Sequence, residues 1–383
     1  TAVLRWCHEA NVAVVPFGGG TTLVGGVECS GKNHEGVICV DMRAMNRVLE
    51  VDTASLSARI EAGATGPVIA EALHAKGLTL RHAPDHAEFS TFGGWLATRS
   101  LGHHSTLGRR AEELVESVHL IAPTADWVTR RVPSSGAGPD PRALILGSEG
   151  SLGIITDAWV KVAPRARFRA SAAFGFDDFA PALRVAREIV QSGLAPSRLQ
   201  LVDKREATLH HLVADGAHLL MVGFESITHP QNNALDAVVS LAGAQGGRVI
   251  DGPYYRDQGE REPESALASR WRRAMIDAPY LYSTFVSIGV IVDTVETATT
   301  WDRFSELHGE VVRALRSAVQ RACGTKGLVT CRISHFFPDG VAPVYTFMAP
   351  ARYGVEVDQW AEIRWAAADA ILRAGGTVTI DQG

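Results

Sequence analysis

Short apolar and β-branched runs, separated by glycine and small polar residues, fill the first part of the chain. Gly36 to Asp41, Val48 to Asp52, Ala58 to Glu61, Val118 to Ala122 and Ile154 to Val162 have the length and composition of strands. One helical stretch lies among them, Gly66 to Lys76, with Val68, Ala72 and Leu73 as its apolar positions. Pro164 to Arg167 reads as a linker, and beyond it the period changes. Trp301 to Cys323 carries Phe304, Leu307, Val311, Leu315 and Val319 at helical spacing, and Gly324 stands where a left-handed residue would close the helix. Glu356 to Ala374 repeats the pattern with Trp360, Ile363, Ala367, Ala370 and Ile371, ending at Gly375-Gly376. Between these helices Leu328 to Ser334 and Val344 to Met348 read as strands. An earlier stretch has the order strand 168–174, helix 178–193, strand 198–202, strand 219–224, helix 230–244, strand 248–250. Two β-α-β-β-α-β units predict a ferredoxin-like, antiparallel arrangement. The expected fold class is therefore α+β, with one domain over 1–164 and a second over 165–383.

Composition narrows the function classes. The 383 residues are 46% hydrophobic and 21% charged, which excludes a disordered or collagen-like chain. No apolar run of about 18 residues occurs, so no membrane-spanning helix is expected. Thirty-seven basic residues against 42 acidic ones give a net charge of -5, which argues against a broad nucleic-acid surface but leaves room for a local anion pocket. The five cysteines, Cys7, Cys29, Cys39, Cys323 and Cys331, form no C-x-x-C pair. Their odd number suits reduced thiols, packed as small hydrophobes, in a cytoplasmic protein. The chain opens on Thr1 without a signal-like region and stops at Gly383, so both ends read as cuts through a longer protein.

The strongest local signal is Val14-Val15-Pro16-Phe17-Gly18-Gly19-Gly20-Thr21-Thr22. Consecutive glycines reach backbone conformations closed to other residues, so successive amides can converge on an anion, with two threonine hydroxyls beside them. A tight turn between strands would use the same glycines. Two phosphate motifs fail. The P-loop spacing of Gly20 and Gly25 leads to Gly26-Val27 instead of Lys and Ser/Thr. The Rossmann fingerprint begins at Gly18 and Gly20 but meets Leu23 at its third glycine. Two further loops mix glycines and hydroxyl residues beside apolar strands: Ala83 to Trp95 and Gly147 to Thr156.

Three such loops in this order resemble the PCMH-type FAD-binding domain of the vanillyl-alcohol-oxidase flavoproteins. The resemblance is nearest to the alkyldihydroxyacetonephosphate synthase and FAD-linked oxidase family. It rests on Asp41-Met42-x-x-Met45-Asn46-Arg47, Glu88-Phe89-Ser90-Thr91-x-Gly93-Gly94-Trp95 and Gly147-Ser148-Glu149-Gly150-Ser151-Leu152-Gly153. It implies non-covalent FAD, with Pro16, Phe17, Gly18, Gly19, Gly20, Thr21 and Thr22 at the pyrophosphate. Asp85, Phe89, Ser90, Thr91, Thr98, Arg99, Glu149, Gly150, Leu152, Gly153 and Ile155 would complete the site. It further implies a ferredoxin-like substrate cap in which Arg332 binds substrate and Tyr345 is catalytic.

The chain departs from the synthase pattern twice. Ile380-Asp381-Gln382 follows the Gly375-Gly376 turn where the synthase has three histidines, and Gln200 replaces an active-site Arg, with Arg198 two residues earlier. Ile380-Asp381-Gln382 also removes the histidines a metal site would use, so no metal is expected. Asp381 and Gln382 stand in the lost positions and join the site candidates, as does His104 of the His103-His104 loop. On its own terms Arg332 could bind a carboxylate or phosphate, or be a surface arginine of an edge strand. Tyr345 could move a proton, or be an ordinary strand tyrosine. Strand alternation puts His335 opposite Arg332. The function expected is an FAD-dependent oxidoreductase that oxidises a small anionic or polar hydroxy substrate by hydride transfer to flavin N5. The alternative is a synthase-like transferase making an ether bond through a flavin–substrate adduct. A non-catalytic flavin-binding module is the third reading, opposed by the retention of Arg332 and Tyr345. The partner expected is a small-molecule substrate, without nucleic acid, and the assembly carried forward is a homodimer.

Overall fold

The computed structural model describes all residues except 23, 32, 85, 103–109, 214–215, 258–264 and 381–383. Contacts divide the chain into two compact units, Thr1–Arg165 and the part from Ala166 on. The first unit runs α1 (Ala2–Glu9), β1 (Val12–Phe17), β2 (Gly36–Asp41), β3 (Val48–Asp52), β4 (Ser57–Glu61), α2 (Gly66–His74), β5 (Leu78–Thr79), α3 (Phe92–Ala97), α4 (Ala111–Leu114), β6 (Val115–Ile121), β7 (Asp126–Val128), α5 (Arg142–Ile145), β8 (Ile154–Lys161) and β9 (Ala163–Pro164). Its main sheet has the antiparallel order β3-β4-β8-β6-β7, and β1 pairs with β2 in parallel. Alternation along these strands sorts the side chains. Ile60, Val118, Leu120, Ala158 and Val160 join Ile69 and Leu73 of α2 and Phe92, Trp95 and Leu96 of α3 in one core. The other face is ionic. Arg59 Nε meets Asp157 at 2.7 Å, His119 bridges Asp157 and Asp126, and the Arg131 guanidinium lies 3.8 Å over the Trp159 ring.

The second unit runs β10 (Phe168–Phe176), α6 (Phe179–Gln191), β11 (Arg198–Val202), α7 (Lys204–Leu209), β12 (His218–Ser226), α8 (Asn232–Ala244), β13 (Arg248–Arg256), α9 (Ala266–Ser287), β14 (Val290–Glu296), β15 (Thr299–Thr300), α10 (Phe304–Cys323), β16 (Leu328–Phe336), β17 (Gly340–Pro350) and α11 (Glu356–Arg373). Its antiparallel sheet has the order β13-β10-β12-β11-β16-β17-β14, with β15 beside β17. The order β13-β10-β12-β11 is the ferredoxin-like order of one complete unit, and β14-β17-β16 is the same order without its fourth strand. The second unit of the expected pair is thus shorter than predicted: residues 377–380, after α11, form no strand. The α9 helix and β14 are elements the sequence pattern did not announce.

Among the described residues two pairs, Leu201↔Ile333 and Val202↔Arg332, join the half-sheets through β11 and β16. Asp203 reinforces this join. Its Oδ1 accepts from Glu206 N at 2.8 Å, capping α7, and its Oδ2 accepts from Cys331 N at 2.7 Å, while its own amide donates to Cys331 O at 2.9 Å. Burial holds this carboxyl at a pKa of about 6. The helices α6 and α10 bury Val185, Ile189, Leu307, Val311 and Leu315 against one sheet face. On the other, Ala173, Val202, Leu219 and Met221 meet Ala207 of α7 and Leu267, Trp271 and Met275 of α9. The cysteines do not all pack as small hydrophobes: Cys7, Cys323 and Cys331 are buried, but Cys29 and Cys39 are exposed.

Asp203→Ala removes the α7 cap and the acceptor of the Cys331 amide together. It is expected to lower the unfolding free energy by about 2 kcal/mol in denaturant titration. A loss under about 0.5 kcal/mol would show that the join does not depend on this carboxylate.

Candidate functional site

In the first unit three sequence-distant loops meet through their backbones. The amides of Phe92 and Gly93 donate to Ala64 O and Ala62 O at 2.8 and 2.7 Å, and Thr91 bridges Thr65, fixing the segment before α3 against the exit of β4. The glycine loop leaving β1 lies on that segment. A methyl group on Gly18 would overlap Thr91 Oγ1, and one on Gly19 would overlap Phe89 O. Gly20 has φ +65°, a left-handed conformation that suits glycine. The third loop is tied to α3 by Gly147 N to Leu96 O at 3.1 Å and Glu149 N to Ala97 O at 3.0 Å, and Gly150 packs on the Pro16 ring.

Between them lies a run of exposed donors. The N–H groups of Gly18, Gly19, Gly20, Thr21 and Thr22 donate to no protein acceptor among the described residues. Five successive free amides with a left-handed residue at their centre form an anion cradle. Close backbone packing and free amides together are what a dinucleotide pyrophosphate requires, so these residues fit FAD. Phe89 and Leu152 stay about half exposed beside it, at 54% and 46%.

Other expected site residues serve the scaffold instead. Ser90 Oγ donates to His86 O and accepts from Trp95 Nε1, both at 2.7 Å, so its hydroxyl is spent internally. Thr98 Oγ1 donates to Gly94 O, and Arg99 clamps Leu146 O and Ala143 O at 2.8 and 2.6 Å. Gly153 presses against Ile121 O, and Ile155 is a core residue of β8. Asp85, His103, His104, Asp381 and Gln382 lie outside the described residues.

In the second unit Arg332 and Tyr345 do not share a site, which corrects the expectation that they act on one substrate. The β16–β17 register pairs Cys331 with Tyr345 and Arg332 with Val344, so the two side chains leave opposite faces. Tyr345 is fully buried on the face covered by α6 and α10, 3.3 Å from His308 Nδ1, and burial pushes its phenol well above the ordinary range. Arg332 lies on the other face. Its Nη1 donates to Glu206 Oε1 at 3.0 Å and to Thr346 Oγ1 at 3.2 Å, and Thr330 donates to the second Glu206 oxygen at 2.7 Å. A β-bulge at Ser334 reverses the alternation that follows. His335 pairs with Ala342 and therefore joins Arg332, where simple alternation had put it opposite. Arg198 and Gln200 occupy the same face of β11, with Arg198 Nε 3.1 Å from Gln200 Oε1. No sequence signal marked the bulge.

The face under α6 and α10 holds two imidazoles. His308 stacks on Phe179 with centroids 5.5 Å apart, and burial followed by Arg316 lowers its pKa to about 4. Burial, with Lys204, brings His218 to about 4 as well. Each is neutral when folded and takes a proton more readily when unfolded, so stability falls as pH drops from 6.5 towards 4. Asp203, with its raised pKa, opposes this below about 6. The variant His308→Phe removes one of the two imidazoles. With one imidazole left against the same Asp203, the fall in its unfolding midpoint between pH 6.5 and 5 should be well under half as steep as in the parent; an unchanged slope would show that His308 does not carry it.

Comparison with known proteins agrees with this geometry. Residues 1–130 match the model of an FAD binding domain and residues 165–381 that of the C-terminal domain of FAD linked oxidases. An alkyldihydroxyacetonephosphate synthase of Dictyostelium discoideum is 28% identical over 396 aligned residues, covering all of this chain and 64% of that protein. An FAD-linked oxidoreductase of Escherichia coli K12 is 33% identical over 330, covering 84% of this chain and 64% of that protein. A solved alkyldihydroxyacetonephosphate synthase structure superposes with a TM-score of 0.83 at 27% identity, over 99% of this chain and 70% of that one. The chain thus spans about two thirds of the length of these relatives. The match extends to the fold, a PCMH-type FAD-binding domain in the first unit, and FAD is the cofactor. With its C-terminal domain model matched over more than half of the sequence, the chain belongs to the FAD-linked oxidase family.

Proposed function

We propose that this chain belongs to an FAD-dependent oxidoreductase that oxidises a small anionic or polar hydroxy compound. The observation that carries this reading is the set of polar side chains on one sheet face of the second unit: Arg198 with Gln200, Arg332 with Glu206 and Thr346, and His335. The FAD cofactor, when bound, supplies a two-electron acceptor for hydride at N5. The five amides of Gly18 to Thr22 hold its pyrophosphate, and the backbone contacts of Phe89 to Thr91 and of Gly150 keep that loop in shape. Oxidation of a carbinol also releases the hydroxyl proton. An imidazole accepts such a proton near neutral pH, which gives His335 the role of base. Arg198 and Arg332 orient the anionic group through charge-assisted hydrogen bonds. Tyr345, buried on the opposite face with a raised pKa, supports the sheet core.

A redox-neutral transferase reading draws support from the synthase that matches the whole chain. Gln200 opposes it, being neutral and buried at the position where the synthase pattern has an arginine. Anaerobic visible spectra of the full-length protein, titrated with hydroxy acids, alcohols and acyl-dihydroxyacetone phosphate, separate the two. Bleaching of the oxidised-flavin bands by a hydroxy compound is the expected result; a spectral change with acyl-dihydroxyacetone phosphate alone would replace the oxidoreductase reading.

Two substitutions probe the parts separately. Gly19→Ala inserts a methyl group against Phe89 O, and FAD affinity should fall at least about tenfold, equivalent to about 1.4 kcal/mol; undiminished flavin content would remove this loop from the cofactor site. His335→Gln should cost about 100-fold or more in kcat/KM and flatten the acidic limb of its pH profile while flavin content stays unchanged. A retained pH profile would reassign the base.

A further inference from the structure

Where the ladder between β11 and β16 stops, the two half-sheets diverge. The chain leaves β11 at Asp203 and enters α7, so the first residues of β16, Leu328 to Thr330, have no strand on that side. An open cleft of about 360 Å³ occupies the fork, lined by Arg205 of α7, Arg316 and Gln320 of α10, and Lys326, Leu328 and Val329. A smaller pocket of about 200 Å³ adjoins it and shares Arg205, Arg316 and Val329.

Three cations line the larger cleft and no carboxylate does. Among the described residues Arg316 and Lys326 form no side-chain ion pair or hydrogen bond, and the Arg205 guanidinium donates to Val329 O at 3.3 Å. Asp203, in the smaller pocket, has both oxygens engaged by the Glu206 and Cys331 amides. In a chain of net charge -5, three cations lining one cleft with no carboxylate among its lining residues are a local feature rather than a background one. Like charges in one cleft repel, and desolvation together with Arg205 lowers the Arg316 pKa below the ordinary guanidinium value, although Asp203 offsets part of this. A bound anion relieves that repulsion.

We propose that this cleft binds a small phosphate-bearing molecule, a phosphomonoester or diphosphate, held by Arg205, Arg316 and Lys326 with Gln320 as a neutral donor. The volume falls in the range of small-ligand sites, roughly 300–1,000 Å³. Two guanidinium forks and an ammonium match the charge and the several acceptor oxygens of a phosphate dianion, whereas a monocarboxylate would leave most of that charge uncompensated. The site lies on the second unit alone and uses none of the residues assigned to flavin or to the oxidised substrate, so it stands whether or not the oxidoreductase reading does.

The test is isothermal titration of the full chain, loaded with FAD so that the glycine loop is filled, against inorganic phosphate and pyrophosphate at constant ionic strength. Flavin absorbance confirms the loading independently. Saturable one-to-one binding is expected, tighter for pyrophosphate. Arg316→Gln and Lys326→Gln should each weaken it at least about fivefold, and the double variant should abolish it, with flavin absorbance unchanged in all of them. Both side chains are exposed and neither packs in the core, so these variants should fold. Absence of saturable binding in the parent chain, or equal binding by the double variant, would overturn the proposal.

Discussion

The short ladder between β11 and β16, closed by the Asp203 carboxylate, is the constraint on which the second unit depends. Two half-sheets with ferredoxin-like order become one sheet through two residue pairs and a side chain that binds an amide on each side of the join. Continuity across this point carries the pleat from β10 to β14 and so decides which side chains share a face. It places Val202 beneath α7, gathers Arg198, Gln200, Arg332 and His335 on one side, and sends Tyr345 to the other. Because the join is short, it also leaves the fork in which three cations collect. A longer ladder would have filled that space with strand.

The first unit reaches its function by a different division of labour. Side chains there mostly hold backbone in place. Ser90 and Trp95 bind each other, Arg99 clamps two carbonyls, and Thr98 folds back on its own helix. The groups left facing outward are amides, which carry no sequence identity of their own. A cradle of this kind tolerates change in many side chains while requiring small residues where backbones touch, as at Gly18 and Gly19. The affinity for a diphosphate then comes from the path of the chain.

Much of this was legible in the sequence. The glycine loop, the two partner loops and the strand-helix order after residue 166 all carry local signals: turn residues, alternation, and stripes such as Phe304 to Val319. What was illegible had physical causes. Pro279 stands inside α9 and reads as a helix breaker, and the apolar positions Leu267, Trp271 and Met275 lie among arginines, so the 22-residue helix left a weak pattern. The strand β14 follows directly from Gly289, without the polar turn that separates most strands here. Whether Ser90 or Arg99 would face a ligand or a carbonyl depends on contacts from residues up to 47 positions away, which local pattern does not record. The opposite placement of Arg332 and Tyr345 was in principle readable, since they pair with neighbouring residues across one hairpin, but only once the register was known.

The bulge at Ser334 gives strand β16 a reading frame. Before it, odd-numbered residues pack under α6 and α10 and even-numbered ones lie on the face towards α7; after it the parity is exchanged, with His335 on the α7 side and Phe336 in the core. The identity of Ser334 matters less than its presence as one additional residue. Removing it would return His335 to the face under α6 and α10 and lift Phe336 out of that core, exchanging an imidazole for an aromatic ring on the face that carries Arg332. Among relatives of this chain, a single-residue length difference in this strand would therefore alter the chemistry of that surface more than most substitutions could, while leaving the neighbouring strands where they are.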